Sequence, residues 1–164
     1  MVTEVVIKAV DATTTLRVAV AADAVAIRAL TRDAYAAWVP LIGREPLPMT
    51  VDYDEAVSRH RFDLLFRDDN LVALIETVAE TDHLLIENVA VLPSAQGRGI
   101  GRVLLTHAET LAAEQGFAEV RLYTNQRFER NIAIYRQAGY RIDREEELPH
   151  GVAVHMSKRV EPAR

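Results

Sequence analysis

The sequence predicts an α/β fold of the α+β kind, a mixed and mostly antiparallel sheet of about seven strands with about four helices on its two faces. Three observations carry this expectation. Hydrophobic residues make up 49% and charged residues 26% of the 164 residues, the balance of a globular chain long enough for one core. Short apolar runs in the middle of the chain are separated by acidic turns, as in antiparallel hairpins. Towards the carboxyl end, strand-like runs alternate with helix-period runs, which calls for crossovers and some parallel pairing.

Taken in order, residues 1–12 read as an N-terminal extension, residues 13–160 as one domain and residues 161–164 as a tail, with no repeat or linker dividing the chain. Thr14 to Val20 is β-branched and alternating, a strand. Asp23 is expected to cap an Ala-rich helix in which Ile27, Leu30, Ala34 and Trp38 share one face. Pro46 and Pro48 lack a backbone donor and bar a helix over Gly43 to Thr50, and Asp52 to His60 forms a second short helix. Phe62–Phe66, Leu71–Val78 and Leu84–Leu92 are strands parted by Asp68-Asp69-Asn70 and Glu80-Thr81-Asp82. Ile100, Leu104, Ala108, Leu111 and Ala112 mark a helix closed by Gly116, where glycine suits a left-handed end. Ala118–Tyr123 is then a strand, Glu129–Gln137 a helix closed by Gly139, and Tyr140–Glu146 with Val152–Lys158 a last pair of strands.

Composition excludes several function classes. Nineteen basic against 24 acidic residues give a net charge of −5, so no global field draws in nucleic acid or an anionic membrane surface. The absence of cysteine removes disulfides, thiolate metal sites and any covalent cysteine intermediate. The uncharged stretch Ala34–Gly43 is far short of the ~20 residues of a membrane helix. The amino terminus has no basic region ahead of a long apolar core, so no secretory leader is expected and the cytoplasm is the expected address. His150 and His155 fall near one strand without a third ligand or a His-Glu-x-x-His pattern, and no metal site is expected.

The informative stretch is Val89-Ala90-Val91-Leu92-Pro93-Ser94-Ala95-Gln96-Gly97-Arg98-Gly99-Ile100-Gly101, where a strand hands over to a helix. Glycines alternating over five residues let backbone N–H groups turn inward, and the helix adds the positive end of its dipole. This is an anion cradle, with Arg98 and Arg102 able to add charge at its rim. A Walker loop would need a Lys that is absent, and a dinucleotide fingerprint would need glycine where Arg102 stands.

Gln96-Gly97-Arg98-Gly99-Ile100-Gly101, preceded by Val91-Leu92-Pro93, resembles the Gln/Arg-x-x-Gly-x-Gly/Ala signature of the GNAT N-acetyltransferase superfamily. Leu122-Tyr123-Thr124-Asn125 and Asn131 to Tyr140 are similar to its second motif, in which a tyrosine four residues before a glycine–aromatic pair faces the coenzyme thiol. The resemblance spans about residues 14–160. It implies acetyl-coenzyme A as co-substrate, a single acetyltransferase domain and a sheet splayed between its fourth and fifth strands. It further implies that the amides of Gly97 to Gly101 hold the pyrophosphate and the backbone of Val89 and Val91 the pantetheine arm, in a coenzyme site that also takes in Ala90, Gln96, Arg98, Gly99, Ile100 and Arg102. The resemblance also implies Tyr135 near the thiol and Asn131 near the pantetheine, although the common family asparagine, seven residues before the tyrosine, is replaced by Phe128.

Acetyl transfer to an amine needs a neutral nucleophile, stabilisation of an oxyanion and a proton for the departing thiolate. Without cysteine, direct attack in a ternary complex is expected over ping-pong transfer. Glu87 shares a strand face with Val89 and Val91 by period-two alternation and is the candidate base. Tyr135, with an ordinary phenol pKa near ~10, is the candidate acid. Each has a structural alternative, a paired strand carboxylate and a core-edge aromatic.

Gly43-Arg44-Glu45-Pro46-Leu47-Pro48-Met49 followed by Asp52-Tyr53 resembles a Gly-Arg-x-Pro-x-Pro-Met-x-x-Asp-Tyr element of one branch of small bacterial GNAT proteins. The resemblance places this segment beside the acceptor, with Trp38, Arg44, Met49, Asp52 and Tyr53 as candidate substrate-binding residues. The expected partner is a small-molecule amine, with neither nucleic acid nor membrane, and a homodimer is compatible with the sequence. A non-catalytic acyl-coenzyme A sensor and a protein or peptide N-acetyltransferase stand as alternatives.

Overall fold

The computed structural model describes residues 7–163; residues 1–6 of the expected N-terminal extension and Arg164 of the tail lie outside the described residues. The chain forms two compact units, one from the segment up to Glu76 together with Asn88–Gly101, the other from Thr77–Glu87 together with Arg102 onward. Two strands, β4 (Asn70–Ala79) and β5 (Leu84–Val91), run through both.

The first unit holds β1 (Ile7–Ala9), β2 (Thr14–Val18) and β3 (Arg61–Arg67), in the order β1-β2-β3-β4 with the end of β5 beyond. β1 is an eighth strand where about seven were expected. Its three residues are exposed, so it carries no apolar alternation that a sequence reading could detect. It is held by antiparallel pairing of Ile7 with Arg17 and Ala9 with Thr15, closed by an Asp11 carboxylate that accepts from the Thr13 and Thr14 amides. β3 is buried from Phe62 to Leu65, and its Asp63 takes a two-pronged bond from Arg61 at 2.9 and 3.0 Å.

Helix α1 (Ala24–Tyr35) buries Ile27, Leu30, Thr31 and Ala34, at helical spacing, and packs on Tyr53, Phe62, Leu64 and Leu74. The expected single helix to Trp38 is broken into α1, a 3-10 turn over Ala36–Trp38 and a short α2 (Val39–Ile42) that ends at Gly43 in the left-handed region. Pro40 sits in the first turn of α2, where its missing donor is tolerated. Asp23 precedes α1 as expected but makes no side-chain cap bond to it. Its carboxylate is drawn to the Arg17 guanidinium at 2.9 Å through both oxygens and to the Val20 amide, which together hold its pKa below the usual carboxylate range. Asp52 does cap α3 (Tyr53–Arg59), accepting from the Asp54 and Glu55 amides.

The second unit holds α4 (Ile100–Glu114, from Arg102 onward), β6 (Glu119–Asn125), α5 (Glu129–Gln137), β7 (Arg141–Leu148) and β8 (Gly151–Arg159), in the order β5-β6-β8-β7. β5 and β6 pair in parallel with register from Leu84↔Val120 to Ile86↔Leu122, and β6–β8 and β8–β7 are antiparallel. The sheet is thus mixed and mostly antiparallel, with the parallel β5–β6 pair at the fourth and fifth strands counted from β2. α4 closes as the sequence predicts, with Gly116 at φ 83° and the Phe117 amide on the Ala112 carbonyl. No helix among the described residues is long and apolar enough to cross a membrane.

Candidate active site

In the first unit, β5 alternates strictly between buried and half-buried residues, placing Ala90 in the core and Val89 and Val91 on the opposite face. Pro93 then starts a 3-10 turn, Pro93–Ala95, after which Gln96 is extended and both Gly97 and Gly99 stand at φ 77°. Only glycine adopts this conformation without strain, so these two residues are fixed by backbone geometry. Gly101 has no such requirement. A Cβ built at Gly97, Gly99 or Gly101 meets nothing within 4 Å, so the turn is open to close approach by a ligand on the side where side chains would stand. Ile100 is buried beneath it, and the Gln96 amide group donates to the Val91 carbonyl at 3.1 Å. Arg98 is exposed. The arrangement fits a diphosphate held by main-chain N–H groups at a helix start.

The same unit carries the segment expected beside the acceptor. Arg32, which the sequence reading passed over, donates to the Met49 carbonyl at 3.1 Å and to Glu45 at 3.0 Å. Met49 is buried, and Tyr53 is 1% exposed within the core, its hydroxyl donating to the Pro48 carbonyl. Asp52 is occupied by its cap, Glu55 pairs with Arg59 at 2.9 Å, and Asp54 lies 3.6 Å from Arg28. These carboxylates therefore serve the helix and its neighbours, the ordinary duty of acidic residues in a first turn. Trp38 is half-buried and Arg44 exposed.

In the second unit, Glu87 is half-buried and its Oε1 accepts from the Tyr123 hydroxyl at 2.8 Å. Tyr123 is the neighbour of Leu122, the last residue of β6 in register with β5, so the side-chain bond lies one step beyond that pairing. The Tyr123 ring lies 5.9 Å from the His155 ring across the β6–β8 pair, and His155 Nε2 is 3.2 Å from Glu146. Neither tyrosine nor histidine was singled out with Glu87 in the sequence, where the register needed to align them is invisible.

Tyr135 is set by the end of α5. Gly139, at φ 97°, turns the chain so that the Ala138 and Tyr140 amides both donate to the Tyr135 carbonyl, at 3.1 and 3.0 Å. The Tyr135 and Tyr140 rings meet edge to face at 6.3 Å. Burial pushes the Tyr135 phenol up to about 12, so the group keeps its proton at neutral pH. Asn131 is half-buried on α5, and Phe128, in the place of the common family asparagine, is buried. Arg102 donates to the Gln137 carbonyl at 3.2 Å. His107 is buried in α4, and His60, the C-cap residue of α3, pairs with the buried Glu76 at 2.7 Å.

The sequence profile of the Acetyltransferase (GNAT) family matches residues 26–140, well over half of the chain. The chain belongs to the GNAT acetyltransferase family. No curated protein matches its sequence. Among solved structures, the PaiA N-acetyltransferase of Thermoplasma acidophilum in complex with coenzyme A superposes with a TM-score of 0.78 at 19% identity, over 90% of this chain and 99% of that one. The ribosomal-protein-S18-alanine N-acetyltransferase of Escherichia coli gives 0.75 at 21%, over 92% and 96%. A spermidine N-acetyltransferase from Vibrio cholerae gives 0.69 at 16%, over 91% and 95%. At these identities the likeness is one of fold. As a GNAT acetyltransferase the chain uses acetyl-coenzyme A as co-substrate.

Proposed function

We propose that this GNAT acetyltransferase transfers the acetyl group of acetyl-coenzyme A to a primary amine of a small molecule, by direct attack of the amine. The observation that carries the reading is the Gly97–Gly101 turn, whose two left-handed glycines and open side suit a coenzyme diphosphate. Bound there, acetyl-coenzyme A supplies an acetyl group activated as a thioester. The amides of Gly97 to Gly101 hold the diphosphate, Arg98 adds charge at the rim, and the backbone of Val89 and Val91 orients the pantetheine arm, with Asn131 as a polar contact.

The chain's own work in the transfer is the movement of two protons. Glu87 takes one from the acceptor nitrogen, directly or through a water, as the C–N bond forms. Tyr135, protonated at neutral pH, donates its phenol proton to the sulfur as the C–S bond breaks. Solvent then restores both groups. With no cysteine in the chain, an acetyl-cysteine route is closed. On the acceptor side we assign Trp38 and Arg44 to direct contact, and Met49, Asp52 and Tyr53 to shaping the segment that presents them. Arg44 suits an acceptor that carries a carboxylate beside its amine.

Coenzyme A release measured against pooled small amines, with a peptide pool beside it, tests this reading. Turnover on a small amine that falls by about 10²–10⁴-fold in Tyr135→Phe, at little changed coenzyme A affinity, is the expected result. Turnover on peptides alone would move the acceptor to a protein, and tight coenzyme binding without any turnover would make the chain a sensor.

A further inference from the structure

We infer that Tyr123 is a positioning residue for the transfer, holding one oxygen of the Glu87 carboxylate so that the other is left to take the proton of the amine. The inference rests on the reading of Glu87 as the base. Its ground is the hydroxyl of Tyr123, 2.8 Å from Glu87 Oε1, placed one step past the registered pairing of β5 with β6. A glutamate on a strand has three side-chain torsions, the last of them broad, and a carboxylate free to sample them spends little time aligned for proton transfer. A hydroxyl donor on the adjacent strand selects one orientation and still leaves Oε2 as a lone-pair site.

The donor is itself braced. Its ring faces His155 at 5.9 Å in the paired position of β8, and His155 is tied through Nε2 to Glu146 of β7 at 3.2 Å. The side chains Glu87, Tyr123, His155 and Glu146 thus form a row across four neighbouring strands of one unit, with Glu87 at its end. Core packing does not require the tyrosine to be there, since its side is 39% exposed. Its hydroxyl reaches the carboxylate of Glu87.

The test is a double-mutant cycle on the intact protein, with kcat and KM measured on one reactive amine for Tyr123→Phe, Glu87→Gln and the pair. Phenylalanine keeps the ring against His155 and removes only the hydroxyl, and melting temperatures check that each variant folds. Tyr123→Phe is expected to lower kcat about tenfold with KM for amine and acetyl-coenzyme A within about twofold, and to add no further loss in the Glu87→Gln background. A loss that persists undiminished in that background, or an unchanged kcat in Tyr123→Phe beside a slowed Glu87→Gln, overturns the inference while leaving Glu87 as the base. An unchanged kcat in Glu87→Gln overturns the base assignment and the inference together.

Discussion

The hydroxyl of Tyr35 on α1 donates to Oδ1 of Asn88 at 2.7 Å, fixing β5 at the residue that follows Glu87. The Tyr35 hydroxyl also lies 3.1 Å from the Val89 carbonyl oxygen, so the helix grips the strand over two consecutive residues. On the other side of Glu87, Leu84 to Ile86 are held in register with β6. The strand is thus held on either side of Glu87 without a contribution from its carboxylate to these contacts.

For this reason Glu87→Gln is expected to change the melting temperature little and the pH–rate profile strongly. An acceptor amine with a pKa near ~10 is mostly protonated at neutral pH, so removal of the proposed base depresses the rate there, and part of it returns as pH rises and free amine appears. A profile of unchanged shape with a lowered melting temperature would mean that the carboxylate serves the fold.

Burial of the phenols is expected to lower stability at alkaline pH. The Tyr135 pKa is pushed up to about 12 by burial, and Tyr140 is raised as well, by burial first and by the Glu109 carboxylate second. Both folded values lie above the unfolded value of ~10, so the stabilisation is whole below pH ~10 and drains as pH rises from there through the folded pKa values. Denaturant titrations above pH ~10 should show unfolding free energy falling more steeply for the unmodified protein than for Tyr135→Phe. Equal slopes would place the Tyr135 phenol in contact with water.

Tyr53 separates packing from recognition. Its hydroxyl bonds to the Pro48 carbonyl within the core, so Tyr53→Phe is expected to cost about 1 kcal/mol of stability and to leave KM for the acceptor unchanged. A raised KM at unaltered stability would give the hydroxyl to the substrate.

What the sequence made legible depended on the range of the signal. The face of α1, the glycine end of α4 and the Gly97–Gly101 turn are local patterns, and each stands where its spacing indicates. β1 is three exposed residues held by a ladder to β2, a pairing with no counterpart in its own composition. Asp23 answered Arg17 of the preceding strand in place of the helix amides, a contest between two donors that spacing cannot decide. Tyr123 meets Glu87 across 36 residues of chain, through a register that exists only once β5 and β6 are paired.

The proposed coenzyme cradle is tested most directly at Gly101. Valine at Gly99 would combine steric obstruction with the strain of a β-branched residue at φ 77°, whereas Gly101 has no left-handed geometry to disturb and its Cβ would meet nothing within 4 Å. Titration calorimetry of coenzyme A into the unmodified protein and into Gly101→Val therefore reads ligand approach alone. A loss of affinity of about tenfold or more in a variant of unchanged melting temperature is the predicted result. Equal affinity in the two proteins would contradict a diphosphate seated against this backbone.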